Sequence, residues 1–317
     1  MRKRMLFFVN PKAGQLELRT HLLDILDIFT AGGYDVTVHA TQCPRDITNQ
    51  IMLRGSQFDM IACGGGDGTL NEAVSGLMAL EKRPPLGYIP GGTVNDVAAT
   101  LGLSKNPIEA AKTIVTGRPY TIDIGSFGAD RWFTYVAGFG MFTDVAYETP
   151  QQDKRIFGRL AYLANGARSL AGVKPIPMRM CVNGKVIEDK VLLGLVCSTT
   201  SVGGFHTKAV QGISLNDGLS EVVVVKNIST PSDLNAIGTL LLKREFDPRF
   251  FYTFQTDQVR FDFPVPVKWT LDGEFGGSMT SVEIQNHARS VDIIVPQPAP
   301  ERPAQAEDTI RTFAPPL

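Results

Sequence analysis

The sequence predicts an α/β domain followed by an antiparallel β-sandwich or barrel. Three observations predict it. Apolar bursts alternate with helical patterns through the first 125 residues; strand-like runs separated by turn dipeptides dominate afterwards; and 317 residues leave room for two cores at roughly 150 residues each. The boundaries read as 1–125 for the α/β domain, 126–296 for the β domain and 297–317 for a tail; six prolines over 296–317 give that end a composition that predicts disorder.

In the first domain, the run Met5-Leu6-Phe7-Phe8-Val9 is a buried strand, and Leu18, Leu22, Leu23, Ile25, Leu26 and Phe29 lie on one face of a helix. Gly32-Gly33 ends that helix. An alternating β-branched strand over 34–40, a helix over 45–53 and a short buried strand over 59–63 follow. The cycle continues with a glycine loop over 64–69, a helix through Met78, a strand over 86–89, the turn Pro90-Gly91-Gly92-Thr93, and helices over 94–101 and 107–115. Strands alternating with helices of this length imply parallel crossovers, with a ligand site beyond the carboxyl ends of the strands.

From about Thr121, strand-like runs occupy 132–137, 178–182, 191–199, 220–225, 258–263, 267–271, 281–285 and 291–295. Asn183-Gly184, Asn216-Asp217-Gly218 and Asp272-Gly273 supply turns between them. Helical stretches over 154–171 and 232–243 interrupt the set.

Composition narrows the function classes. Hydrophobic residues make up 43% and charged residues 20%, as in an ordinary globular chain. Thirty-one basic against 32 acidic residues leave a formal charge of −1, which removes the electrostatic pull that nucleic-acid binders use. Cys43, Cys63, Cys181 and Cys197 stand far apart, with no metal-ligand spacing to any histidine, so a reduced, cytoplasmic protein without structural zinc is expected. No apolar run approaches the ~20 residues that span a bilayer, so membrane contact would be peripheral.

The most specific feature is Gly64-Gly65-Gly66-Asp67-Gly68-Thr69-Leu70-Asn71-Glu72, set between a strand and a helix. Consecutive glycines let backbone N–H groups face a ligand, and the helix N-terminus adds partial positive charge, so the loop suits a phosphate. A plain βα turn needs only one or two glycines. The pattern is neither the GxGxxG dinucleotide fingerprint nor a P-loop, since no GK[ST] occurs. Pro90-Gly91-Gly92-Thr93-Val94-Asn95-Asp96 follows the next strand and would open on the same edge; Asn10-Pro11-Lys12-Ala13-Gly14 follows the first strand and alone reads equally as a turn.

Together these three loops resemble the catalytic domain of the diacylglycerol kinase and sphingosine kinase superfamily, especially its soluble bacterial lipid kinases. Val136-Ala137-Gly138-Phe139-Gly140, Val202-Gly203-Gly204-Phe205, Leu215-Asn216-Asp217-Gly218-Leu219 and Leu271-Asp272-Gly273-Glu274 are similar to that family's C-terminal motifs, in order, so the resemblance covers about residues 5–295. It implies a three-layer α/β nucleotide domain, a β-sandwich lipid domain, and transfer of the ATP γ-phosphate to a lipid hydroxyl in the cleft between them. By position, Asn10, Pro11, Lys12, Ala13, Gly14, Thr41, Gly65, Gly66, Asp67, Gly68, Thr69, Leu70, Asn71, Glu72, Gly92, Thr93, Asn95 and Asp96 would contact ATP.

The resemblance makes Glu274 the proton acceptor, with Asp67 and Asp272 as further catalytic acids and Asp67 competing for the acceptor role; alone, Asp272-Gly273-Glu274 would read as a turn with an exposed acid. It implies a Mg²⁺ site at Asp217 with oxygens of Ser214 and Leu219. Phosphoryl transfer needs such parts: backbone donors, Mg²⁺ and a carboxylate beside the attacking hydroxyl. Two departures bear on affinity or substrate choice, namely Ala13 in place of the usual serine and Lys208-Ala209 in place of a small apolar residue and proline. The expected partner is a lipid at the inner face of a membrane. The basic stretch Lys154-Arg155-Ile156-Phe157-Gly158-Arg159 and the Phe- and Arg-rich segment 244–254 read either as surfaces for it or as solvated faces. An exposed sandwich edge could pair two copies in a homodimer. A kinase of a soluble substrate such as NAD, or a non-catalytic sensor, are the alternatives.

Overall fold

The computed structural model describes residues 2–11, 17–93, 95–141, 174–198, 201–202, 205–206, 215–227, 230, 233, 236–237, 239–240 and 245–297. In the first half the elements are β1 (Lys3–Val9), α1 (Glu17–Thr20), α2 (Leu22–Ala31), β2 (Tyr34–Ala40), α3 (Asp46–Arg54), β3 (Met60–Gly65), α4 (Asp67–Met78), β4 (Leu86–Pro90), α5 (Asp96–Thr100) and α6 (Pro107–Thr116). The strands pair in parallel in the order β4, β3, β1, β2. Alternation along β1 sorts its side chains into two cores. Met5, Phe7 and Val9 pack with Ile25 and Phe29 of α2 and Ile114 of α6, whereas Leu6 and Phe8 pack with Ile47 and Ile51 of α3 and Leu70, Val74 and Leu77 of α4. Both faces are covered, which is why the strand reads as one apolar run.

The second half contains β5 (Arg118–Phe127), β6 (Arg131–Phe133), β7 (Val136–Gly140), β8 (Ile176–Val182), β9 (Lys185–Cys197), β10 (Ser201–Val202), β11 (Phe205–His206), β12 (Ser220–Lys226), β13 (Phe251–Thr256), β14 (Gln258–Leu271) and β15 (Glu274–Val295). The long strands β9 and β14 each pair with both β7 and β8, at opposite ends. They enclose an aromatic core in which Trp269 lies 4.7 Å from Phe139 and 5.1 Å from Phe127, centroid to centroid, with Phe261 and Phe263 alongside. Asn183-Gly184 and Asp272-Gly273 both take left-handed φ values, 50° and 73°, and 50° and 82°, as tight hairpin turns require.

Several boundaries differ from the sequence reading. The expected strand over 132–137 is two strands, because the backbone turns at Thr134 and Tyr135 to point N–H groups at Asp272. The runs 258–263 and 267–271 form one strand that passes Pro264 and Pro266 through a register shift. The runs 281–285 and 291–295 belong to the 22-residue β15, which starts at Glu274. β5 and β13 were not expected; β13 turns part of the Phe- and Arg-rich segment into a strand paired with β12. The expected helix over 154–171, the basic stretch, Lys208-Ala209 and all but the first residue of the proline-rich tail lie outside the described residues.

The last strand joins the two halves. Residues Val291 to Val295 pair with β5, and Ile293 also stands beside Leu86 of β4. The carboxyl end of the β half thus extends the parallel sheet, placing the β14–β15 turn over the amino end of α4.

Candidate active site

Parallel pairing brings the loops after β1, β3 and β4 to one edge, and backbone bonds hold them there. The Asn10 N–H donates to Gly64 O at 3.3 Å, and the Gly91 N–H to Gly65 O at 2.7 Å. The last two loops lie back to back: a Cβ on Gly92 would sit 2.7 Å from the Gly66 Cα, so only glycine fits. Asn95 staples the third loop, donating from Nδ2 to Gly92 O at 2.7 Å and accepting at Oδ1 from the Gly92 N–H at 2.9 Å and the Tyr88 hydroxyl at 3.3 Å. Its backbone has φ 56°, a left-handed value asparagine tolerates.

This staple aims a donor at Asp67. The Asn95 N–H meets Asp67 Oδ2 at 2.9 Å, while Asp67 Oδ1 is buried without a hydrogen-bond partner. Burial first, then the charges of Asp96 and Asp272, push the Asp67 carboxyl up to about 7.

Glu274 approaches from the other half. A Cβ on Gly68 would lie 2.7 Å from Glu274 Oε1, so the carboxylate rests over the first turn of α4, one residue beyond Asp67. Glu274 is exposed, so its carboxylate is open to a ligand at this edge. Asp272, two residues earlier, has the opposite environment, being 5% exposed. Its Oδ2 accepts from Asn71 Nδ2 at 2.8 Å, the Thr134 N–H at 2.7 Å and the Thr134 hydroxyl at 2.8 Å, and its Oδ1 from the Tyr135 and Val136 N–H groups at 3.0 Å each.

The expected nucleotide contacts divide. Pro11, Thr41, Gly66, Gly92 and Thr93 stand on the loops at this edge, Gly65 ends β3 and Gly68 lies in the first turn of α4, and Asn10 Nδ2 reaches Thr69 Oγ1 at 3.5 Å. Other side chains are engaged elsewhere. Leu70 is buried in the core, and its N–H bonds to Gly66 O at 3.1 Å. Glu72 caps α3, accepting from the Arg45 N–H at 2.9 Å and the Ile47 N–H at 3.3 Å. Asn71 Nδ2 also donates to Trp132 O at 3.0 Å, and Asp96 is 2% exposed. Lys12, Ala13, Gly14 and Ser214 lie outside the described residues.

Asp67, Glu72, Asp272 and Glu274 enter no ion pair among the described residues, so acidic side chains collect here without a counter-charge from those residues. A hard divalent cation fits that arrangement, and the unpartnered Asp67 Oδ1 gives it a ligand. The Asp217 loop fits one too. Asp217 Oδ1 accepts from the Leu219 N–H at 3.0 Å, and Asp123 supports the turn, accepting from the Gly218 and Arg289 N–H groups at 2.7 Å each. Nearby Glu221 is pushed up to about 7 by burial and, less, by the charge of Asp217, and its Oε2 is buried without a partner. No group of three His, Cys, Asp or Glu side chains converges among the described residues, and Mg²⁺ does not demand one, since it takes one or two carboxylates and keeps waters.

Sequence reasoning missed Tyr88, Asp123, Thr134 and Glu221. Asp123 had a signal, a lone acid between Ile122 and Ile124 in a buried run, whereas Thr134, which meets Asp272 through both its N–H and its hydroxyl, had none.

Residues 4–127 match the model of the diacylglycerol kinase catalytic domain, and residues 137–295 that of the YegS C-terminal NAD kinase beta sandwich-like domain. A diacylglycerol kinase of Bacillus subtilis (strain 168) is 35% identical over 312 residues, covering 96% of this chain and 100% of its own. The chain belongs to the diacylglycerol kinase family. A diacylglycerol kinase of Staphylococcus aureus (strain bovine RF122 / ET3-1) is 32% identical over 299 residues, 93% of each chain. The crystal structure of a diacylglycerol kinase from Bacillus anthracis str. Sterne superposes with a TM-score of 0.72 at 26% identity, covering 92% of this chain and 97% of that one. The α/β half is therefore a kinase catalytic domain and the β half the family's sandwich.

Proposed function

We propose that this protein transfers the γ-phosphate of ATP to the free hydroxyl of diacylglycerol, giving a phosphatidic-acid-type product, with Glu274 as proton acceptor and Mg²⁺ required. The observation that carries the reading is the seat of the Glu274 carboxylate over Gly68, at the mouth of the glycine loop and one residue from Asp67. In the step, the lipid oxygen bonds to the γ-phosphorus, the bond to the ADP oxygen breaks, and the hydroxyl proton passes to Glu274. The backbone N–H groups of the glycine loop and of α4 orient the phosphates. Asp67, beside the glycine loop, would hold a Mg²⁺ that supplies charge neutralisation to the phosphates, and Asp217 with the Leu219 carbonyl would hold one in the β half. Asp67, with one oxygen fixed by Asn95, suits metal and phosphate better than a mobile proton.

The substrate sits in a bilayer, so the protein works at its surface. Among the described residues no helix is long and apolar enough to cross a membrane, and the contact we propose is peripheral. The test is transfer of labelled γ-phosphate to a lipid panel in anionic mixed micelles, with and without Mg²⁺, and with NAD as soluble comparison. A labelled, Mg²⁺-dependent phosphatidic acid is expected; label on NAD alone, or nucleotide binding without transfer to any lipid, would refute the reading. Glu274→Gln should leave ATP binding near normal and lower turnover by roughly 10² to 10⁴, the range for loss of a general base.

A further inference from the structure

We propose that Asp272 is a positioning residue: its carboxylate pins the β14–β15 turn to α4 and to the β6–β7 turn, and so sets Glu274 over the glycine loop. The inference rests on the reading of Glu274 as proton acceptor. Five donors from two separate segments converge on this one side chain, at 2.7 to 3.0 Å. Asn71 belongs to α4, four residues past Asp67; Thr134 and Tyr135 link β6 to β7, which Val136 opens; and Asp272 itself opens the turn before Glu274.

Its backbone closes the same joint, since the Asp272 N–H donates to Val136 O at 2.8 Å. At φ 50° Asp272 takes the left-handed value that an Asp-Gly hairpin turn uses, so the same residue shapes the turn and anchors it. A proton acceptor needs an open lone pair toward the substrate, and here both oxygens are taken in a buried site. Donors on every side require a group that only accepts, as an ionised carboxylate does; an amide would set its own N–H against them. The pin is therefore specific to aspartate. It spans the joint between the halves, and Ser75, whose hydroxyl reaches Asn71 Oδ1 at 3.5 Å, steadies its α4 end.

The position matters because Glu274 has no other described hold on α4. If the turn slides by about 1 Å, the acceptor leaves its place, a displacement that can cost on the order of 10²-fold in rate. A double-mutant cycle on kcat for phosphate transfer to diacylglycerol tests this in the full chain. Asp272→Asn can unfold the joint outright, so Asn71→Ala carries the test, cutting the pin on one side while Thr134, Tyr135 and Val136 keep Asp272 housed. Asn71→Ala should lower kcat roughly 10- to 100-fold with KM for ATP changed less than about threefold; in a Glu274→Gln background it should cost less than about threefold more. Equal losses in both backgrounds, or a raised KM for ATP with kcat unchanged, would overturn the pin. Full turnover of Glu274→Gln alone would overturn the acceptor reading and the pin with it, and the single variant reports that separately.

Discussion

Burial, and behind it the carboxylates of Asp96 and Asp272, lift the Asp67 carboxyl from an ordinary 3.8 to about 7. An unfolded chain releases this proton near 3.8, so between there and 7 the folded protein binds more protons than the unfolded one. Stability then falls as pH rises through that window, and the full cost is present above 7. Each unit corresponds to ~1.4 kcal/mol, so the cost at pH 8 is on the order of 2 to 4 kcal/mol. Asp67→Asn should remove it. Without nucleotide or Mg²⁺, the variant should melt above the parent protein at pH 8, with the gap narrowing toward pH 5, while its turnover drops. Thermal unfolding at the two pH values checks this, and an equal gap at both would exclude the charge as the cause. The site is built at the expense of stability, as preorganised polar clefts commonly are. Of its acids, Asp67 and Glu274 were legible from their motifs. The use of Asp272 and Glu72 was not, because a carboxylate's role depends on which donors the fold turns toward it, and those donors are mostly backbone groups.

Glycines in the loops are constrained by neighbours of different kinds, and that difference is testable. At Gly92 an added Cβ would meet the Gly66 Cα at 2.7 Å, and backbone packed against backbone cannot yield. Gly92→Ala should cost about 1 to 3 kcal/mol of stability and raise KM for ATP. At Gly68 the obstacle is Glu274 Oε1, the tip of a side chain that can swing away. Gly68→Ala should leave the fold intact, gaining up to ~1 kcal/mol in helix propensity, and lower kcat by about tenfold or more by displacing Glu274, the proposed acceptor. Urea unfolding and steady-state kinetics separate the two outcomes; a Gly68→Ala enzyme with unchanged kcat would mean that Glu274 does not act from its observed seat. Elements of the α/β half were read closely because their apolar periodicity and glycine ends are local signals. In the β half, the runs 258–263 and 267–271 read as two strands but are one, joined through a register shift past Pro264 and Pro266, and the run 132–137 concealed a break, since nothing within it reveals that a distant aspartate draws its backbone aside.

Across the whole molecule, β15 makes the two halves one structure. Val291, Ile293 and Val295 share a core with Leu6, Phe8 and Leu86, so the α/β half completes its packing with the carboxyl end of the β half. Heat should therefore unfold both in a single calorimetric transition, and residues 1–125 alone should fail to reach a cooperatively folded state; two separate transitions would contradict the shared core. The same closure brings Asn71 and Asp272, 201 residues apart, within 2.8 Å. The order of elements in the α/β half, the glycine loops that share an edge, the acid after the Asp272-Gly273 turn and the family resemblance were all determined by the sequence alone. They are written in runs of a few residues, where strand period, helix period and glycine freedom act locally. Only the tertiary structure decided that Glu274 stands over Gly68, that Asp272 is a buried pin, that Glu72 caps a helix and that the last strand completes the first domain. Those outcomes depend on which distant groups are desolvated together, and no local pattern encodes that.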